Sequence, residues 1–307
     1  MLALVPLAAA HAFDLQGHRG ARGLAPENTL AGFRTALAIG VTTLEADVGI
    51  TRDGVPVVAH DRRLHPALAR GPDGRWIAAP GPLLRSLDLA ALRAYDVGRI
   101  DPASDYAKQW PQQAAVDGER VPTLAELLAL ARGARQPVQL NLETKLSPLA
   151  PSETVDATTF ARTLVDAVRG AGLVGRTTIQ SFDWRTLVEA KRREPAIRTA
   201  CLTLEGGAND TVAPDASGRS PWLAGVPPGS VPRMAKAAGC DVWSPHWRNA
   251  DRDRIAEARA LGLAVIPWTV NEPASMAAVI AAGADGLITD YPDRAREVLR
   301  ARGLPLP

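Results

Sequence analysis

The stretch TLEADVGITRDGVPVVAH, residues 43–60, holds two apolar runs of strand character separated by the turn sequence TRDG. A parallel strand pair needs a crossover of a dozen or more residues, which four residues cannot supply. Residues 55–60 are therefore predicted to fold back antiparallel on the strand before them. They form the return arm of a hairpin, not a member of the main sheet. Eight strand segments remain: LQGHRG, TLEADV, VQLNLETK, TTIQSF, RTACLTL, DVWSPH, LAVIPWTV and DGLITD. Helix-period segments alternate with them, among them PENTLAGFRTALAIG, TLAELLALARGA, TTFARTLVDAVRGAG, WRTLVEAKRRE, RDRIAEARALG and PASMAAVIAAGA. Such alternation builds a parallel sheet wound with helices, and eight repeats close it into an α/β barrel, the TIM (β/α)8 architecture.

A chain of 307 residues suits one such domain. Its formal charge of +2 gives no sign of a nucleic-acid or other polyanionic partner. No run of eighteen apolar residues is present, so no stable membrane insertion is expected. Cys201 and Cys240 are the only cysteines and lack the C-x-x-C spacing of a structural zinc site. They read as two buried free thiols on neighbouring strands, with a single disulfide as the alternative. Residues 1–12 resemble a residual signal peptide, with Ala10-His11-Ala12 as cleavage pattern and Phe13 as first mature residue, although a basic leader is missing. This places the protein in the periplasm or outside the cell; a cytoplasmic protein with an apolar tail is the alternative. Residues 13–307 form a single barrel domain. It is interrupted at about 61–120 by a segment rich in Pro, Gly and Arg, placed over the top of the barrel after the second strand.

Within strands, positions i and i+2 share a face, so Glu45 and Asp47 point together, as do Glu143 and Lys145 in LNLETK. All four fall at the carboxyl ends of predicted barrel strands, the rim on which barrels carry their active sites. Like charges buried side by side are costly unless a cation lies between them. Three carboxylates without cysteine ligands favour a hard divalent ion, Mg²⁺ or Ca²⁺, over zinc. His18 from the first strand and His60 from the hairpin are aimed at the same place and suit a general base and a general acid. Arg19 can grip phosphate oxygens in a bidentate manner, and Lys145 adds positive charge for an anionic ligand. Taken together these residues describe phosphoryl transfer.

The ordered set HRG, PENT, EADVGITRDGVPVVAHD, NLETK, QSFDW, WTVN and LITDYP resembles the motifs of the glycerophosphodiester phosphodiesterase family, from about residue 17 to 300. The resemblance implies a barrel of the phospholipase C type and metal-dependent hydrolysis of a small glycerophosphodiester to sn-glycerol 3-phosphate and an alcohol. By motif it implies metal ligands Glu45, Asp47 and Glu143, catalytic histidines His18 and His60, and phosphate contacts from Arg19 and Lys145. Gln180 and Trp268 fall at matching strand ends and would line the pocket, under an insertion that covers the site. Two rivals stand beside this reading: a phospholipase D-like hydrolase of lysophospholipids, which needs an apolar mouth, and a relative that binds a phosphodiester without cleaving it. Trp76, Trp110, Trp222 and Trp247 lie in predicted loops where such a mouth could form.

Overall fold

The computed structural model describes residues 13–307. In chain order β1 (Asp14–Gly17) leads to α1 (Leu30–Ile39), and β2 (Thr43–Ile50) leads to the short β3 (Pro56–Val58). The insertion contributes α2 (Leu89–Leu92) and α3 (Asp105–Gln109) before α4 (Leu124–Arg132) and β4 (Gln139–Thr144). Regular alternation then resumes with α5 (Ala157–Gly170), β5 (Thr177–Ser181), α6 (Trp184–Arg193), β6 (Arg198–Thr203), α7 (Val231–Ala237) and β7 (Val242–Pro245). It ends with α8 (Arg252–Ala260), β8 (Ala264–Val265), α9 (Pro273–Ala282), β9 (Gly286–Thr289) and α10 (Pro292–Ala301).

Eight of these strands are parallel neighbours in the order β8-β7-β6-β5-β4-β2-β1-β9. The seam between β8 and β9 has no ladder. It is bridged where Asp285 N donates to Val265 O and Ile288 N donates to Pro267 O, each at 2.9 Å. Pro267 has no N–H to return, which limits regular pairing there and leaves the barrel nearly closed. As the four-residue turn demands, β3 runs antiparallel to β2, with Val48 opposite Val58 and Ile50 opposite Pro56. Gly54 makes the turn at φ +80°, in the left-handed region that a glycine enters without steric cost. Past the ladder, Ala59 N donates to Asp47 O at 3.0 Å, so the chain delivers His60 back to the tip of β2.

Several helices begin where side chains can satisfy their free N–H groups: Thr29 caps α1, Thr123 forms a capping box with Glu126 on α4, and Asp156 caps α5. Their apolar faces cover the outside of the barrel, where Phe33, Phe160, Trp184 and Trp243 are fully buried. Inside the barrel the filling is uneven. The half built by β6 to β9 is apolar, around Ala200, Val242, Ile266 and Ile288. The half built by β1, β2, β4 and β5 buries Gln16, Asn141 and Gln180.

The insertion has a small core of its own, in which Leu64, Ala69, Leu84, Leu92 and Val121 gather around Val57 of the hairpin. It is therefore seated on β3, above the carboxyl ends of the strands. Cys201 and Cys240 correct the free-thiol expectation: they form a disulfide, with Cα atoms 6.0 Å apart. Cys240 lies in the turn before β7 rather than on the strand, and that turn brings it beside β6. Cross-linking positions 39 residues apart stabilises a fold by roughly 3–4 kcal/mol in the loop-entropy account. The signal-like residues 1–12 lie outside the described residues.

Candidate active site

Two neighbouring strands, β2 and β4, bring the acids together, and β5 adds an amide beside them. The register places Asp47 of β2 directly opposite Glu143 of β4, and Glu143 opposite Gln180 of β5. Glu45 and Asp47 are fully buried, and one oxygen from each of Glu45, Asp47 and Glu143 lies within 4.8 Å of the others. Their neighbours are specific. Glu45 accepts from Arg19 N and from Gln180 Nε2, both at 2.8 Å. Asp47 Oδ2 accepts from Asn28 Nδ2 at 2.8 Å and lies 3.2 Å from Arg19 Nε. Lys145 Nζ lies 2.6 Å from Glu143 and 3.5 Å from Asp47.

Arg19 reaches this position through a left-handed backbone, φ +51°, uncommon for a residue with a side chain and a form of strain that collects at functional sites. That twist turns its N–H onto Glu45. Next to it, Gly20 lies so close to α1 that a Cβ would come within 2.6 Å of the Gly32 backbone. The HRG sequence is thus pressed between the helix start and the acids.

Burial raises Glu45 well above the usual carboxylate range, and the charges on Asp47 and Glu143 raise it further. Burial likewise lifts Glu143 to about 7, against the pull of Lys145. Asp47 goes the other way: burial alone would raise it, but Lys145 and Arg19 hold it well below its ordinary value. Its Oδ1, buried, makes no hydrogen bond among the described residues, with Lys145 Nζ 3.5 Å from it. A buried carboxylate oxygen without a hydrogen bond, beside two carboxylates that resist ionising, fits a site for a hard cation bound through oxygen.

Both histidines are oriented by a carboxylate on Nδ1. His18 Nδ1 lies 2.7 Å from Asp290 Oδ1, and His60 Nδ1 lies 2.7 Å from Asp61 Oδ1. A carboxylate can only accept, so Nδ1 carries the proton and Nε2 is left with a free lone pair. His18 Nε2 sits 4.0 Å from Glu45. Burial lowers the affinity of both rings for a second proton; for His60, Arg19 and Lys145 add to this, and its pKa falls to about 4. Burial thus favours the neutral form of both imidazoles.

A cavity of about 180 Å³ opens among these groups. Its wall includes His18, His60, Glu45, Glu143, Lys145 and Arg19. Gln180 and Trp268 also reach it, as expected from their strand ends. The Gln180 amide is engaged by Glu45 and Asn141, however, and the Trp268 indole donates to Ser244 O at 2.9 Å, so what each offers the cavity is shape. Arg19 is likewise occupied, because its Nη1 donates to Glu27 at 2.6 Å.

Several members of the site had no role assigned from sequence. Asp290 follows β9 and accepts from Arg22 (2.7 and 3.0 Å) and Asn271 (2.7 Å); burial opposes its ionisation, but His18 and Arg22 hold it well below its ordinary range. Asn28 and Glu27 support Asp47 and Arg19, and Tyr106 of the insertion hydrogen-bonds Glu27. The motifs PENT, AHD and LITDYP contain Glu27, Asn28, Asp61 and Asp290, and the signal was their position one to ten residues from the histidines and arginine or at a strand end. Trp110 follows α3 and stacks on Arg22 at 4.1 Å, while Trp222 packs against the main core.

Comparison with known proteins points to one family. The profile of the glycerophosphoryl diester phosphodiesterase family matches residues 18–294. A glycerophosphodiester phosphodiesterase of Caldanaerobacter subterraneus subsp. tengcongensis is 26% identical, over 93% of this chain and 97% of its own length. One from Bacillus subtilis is 27% identical, over 90% and 83%. Among solved structures, a Silicibacter pomeroyi protein provisionally described as a glycerophosphoryl diester phosphodiesterase superposes with a TM-score of 0.86 at 36% identity, covering 96% of this chain and 95% of its own. An Oleispira antarctica phosphodiesterase, solved with the product sn-glycerol-3-phosphate, shares the fold with a TM-score of 0.68 at 24% identity, covering 94% and 96%.

Proposed function

The chain belongs to the glycerophosphoryl diester phosphodiesterase family, and from that premise we propose how its own residues carry the reaction and where in the cell they do so. It is a hydrolase that converts glycerophosphodiesters to sn-glycerol 3-phosphate and an alcohol. The observation that carries the mechanism is the convergence of two carboxylate-oriented imidazoles on the cavity that Glu45 and Glu143 also line.

Glu45, Asp47 and Glu143 hold a divalent cation, Mg²⁺ or Ca²⁺, which when bound neutralises their repulsion and adds positive charge beside the phosphate. Lys145, and Arg19 behind it, make the cavity positive towards a singly charged diester. One histidine takes the proton of the glycerol 2-hydroxyl through its free Nε2, and that oxygen attacks phosphorus. The other histidine, entering the step as an imidazolium with its second proton on Nε2, gives that proton to the departing alcohol as its bond to phosphorus breaks, leaving a five-membered cyclic phosphate. Water then opens the ring with the two roles exchanged, so each ring ends as it began. Asp290 and Asp61 fix the tautomers and stabilise the imidazolium formed in each step.

Incubation with glycerophosphocholine and a divalent ion should release choline and sn-glycerol 3-phosphate in equal amounts. Release of glycerol and phosphocholine would mean that the other ester bond is cut and would sink the reading. The lysolipid alternative is disfavoured by the surface. Among the described residues the exposed large apolar side chains are Val116, Leu149, Val188 and Leu306, and of these only Leu149, after β4, and Val116, in the insertion, lie on loops on the catalytic side. A lipid-binding mouth needs a continuous patch. The Cys201–Cys240 bond belongs to an oxidising compartment and supports export to the periplasm or beyond, in keeping with the signal-like residues 1–12. Activity recovered in the cytosolic fraction, and not in the osmotic-shock fluid or medium, would refute export.

A further inference from the structure

Barrels of this architecture are usually filled by layers of branched apolar side chains, so a row of buried amides through the middle of one asks for a purpose. Here the row is continuous. At the amino-terminal mouth, which opens on a cavity of about 550 Å³, Asp14 accepts from Gln16 Nε2 at 2.7 Å and from Thr43 Oγ1 at 2.6 Å. Gln16 Oε1 accepts from Asn141 Nδ2 at 2.8 Å. The same Asn141 nitrogen donates to Gln180 Oε1 at 2.9 Å, and Gln180 Nε2 donates to Glu45 Oε1 at 2.8 Å. Four strands contribute, β1, β4, β5 and β2, and Gln16, Asn141, Gln180 and Glu45 are all buried.

The sense of this row is not arbitrary. Asp14 below and Glu45 above each accept from the glutamine they touch, so each glutamine presents its NH₂ to its carboxylate. Both glutamines then turn their carbonyls towards the centre, where the two protons of a single amide nitrogen satisfy both. Asn141 Nδ2 has those two protons and spends each on one glutamine. Aspartate at this place would offer only oxygens to two carbonyls. The upper glutamine would be driven to reverse, setting its own carbonyl against Glu45.

We propose that Asn141 and Gln16 are positioning residues that act through Gln180 to hold the Glu45 carboxylate in the orientation its cation requires, a relay that spans the barrel from its far mouth to the catalytic rim. The inference rests on the metal reading of Glu45, Asp47 and Glu143. It accounts for why this half of the interior is amide where the other is aliphatic. It also adds to the reaction two residues that do not touch the catalytic cavity.

Titration calorimetry of the stripped full-length protein with Mn²⁺, alongside steady-state kinetics at saturating metal, tests it. Outer supporting partners typically contribute ten- to hundred-fold to metal affinity. Asn141→Asp should therefore bind Mn²⁺ about 10- to 100-fold more weakly, with kcat at saturating metal restored far more than affinity. Gln16→Met removes only the lower anchor, so it should give a smaller loss of the same kind. A purely structural role would lower the unfolding midpoint and leave the Mn²⁺ affinity of the folded protein at the parent value, and that result overturns the relay. If Asn141→Asp does not fold, Gln16→Met decides by the same comparison. A parent protein that binds no Mn²⁺ would overturn the metal reading itself, a different outcome from parent binding that Asn141→Asp and Gln16→Met leave unchanged.

Discussion

His18→Ala and His60→Ala should each lower kcat on glycerophosphocholine by about a hundred- to ten-thousand-fold, the usual cost of losing one general acid or base. The size follows from geometry. Each ring has its Nδ1 committed to a carboxylate and only its Nε2 left for the substrate, so one ring cannot serve both proton transfers of a single step. The two substitutions should also differ from a loss of binding, because Lys145 and the acids remain in the cavity. KM is therefore expected to change much less than kcat. A pair of active esters discriminates the two positions: the variant lacking the acid should recover on a substrate whose leaving alcohol needs no proton, such as a nitrophenyl diester, and the variant lacking the base should not. Near-parental turnover by both alanine variants with metal present would remove the histidines from the chemistry.

Chelation is the second large effect. Removing divalent ions should abolish turnover, and Mg²⁺ or Ca²⁺ should restore it. The fold should survive, because the acids are partly compensated without an ion: Lys145 reaches Glu143 and Asp47, Arg19 also lies against Asp47, and burial raises the pKa of Glu45 and Glu143, which eases their neutralisation. Unchanged far-ultraviolet circular dichroism after chelation, with activity lost, is the expected pair of readings. Full turnover in excess chelator would show that Lys145 and Arg19 suffice. Rescue by zinc and by neither hard ion would contradict a site made of oxygen donors.

The hairpin is the clearest case of fold legible in sequence. TRDG is too short for any other connection, and from it came both the count of eight barrel strands and the return of His60 towards Asp47. The pairing of Glu45 with Asp47 and of Glu143 with Lys145 was equally legible, because a strand's two-residue period is a local property. Cys201 and Cys240 were misread because pairing depends on a distance between two segments. No spacing along the chain reveals that the turn before β7 swings Cys240 within 6.0 Å, Cα to Cα, of β6.

Local chemistry therefore determined the architecture, the rim on which function sits and the seven acids, bases and cations most exposed to motif reading. Tertiary structure alone decided who supports them. Asp290 meets His18 across 272 residues of chain, Gln180 meets Glu45 across 135 and Asn141 meets Gln16 across 125. Closing a barrel sets its first and last strands side by side and turns alternate residues of every strand inward. The partners of a buried polar group are thus fixed by register and closure, and neither of these is a property of any one segment.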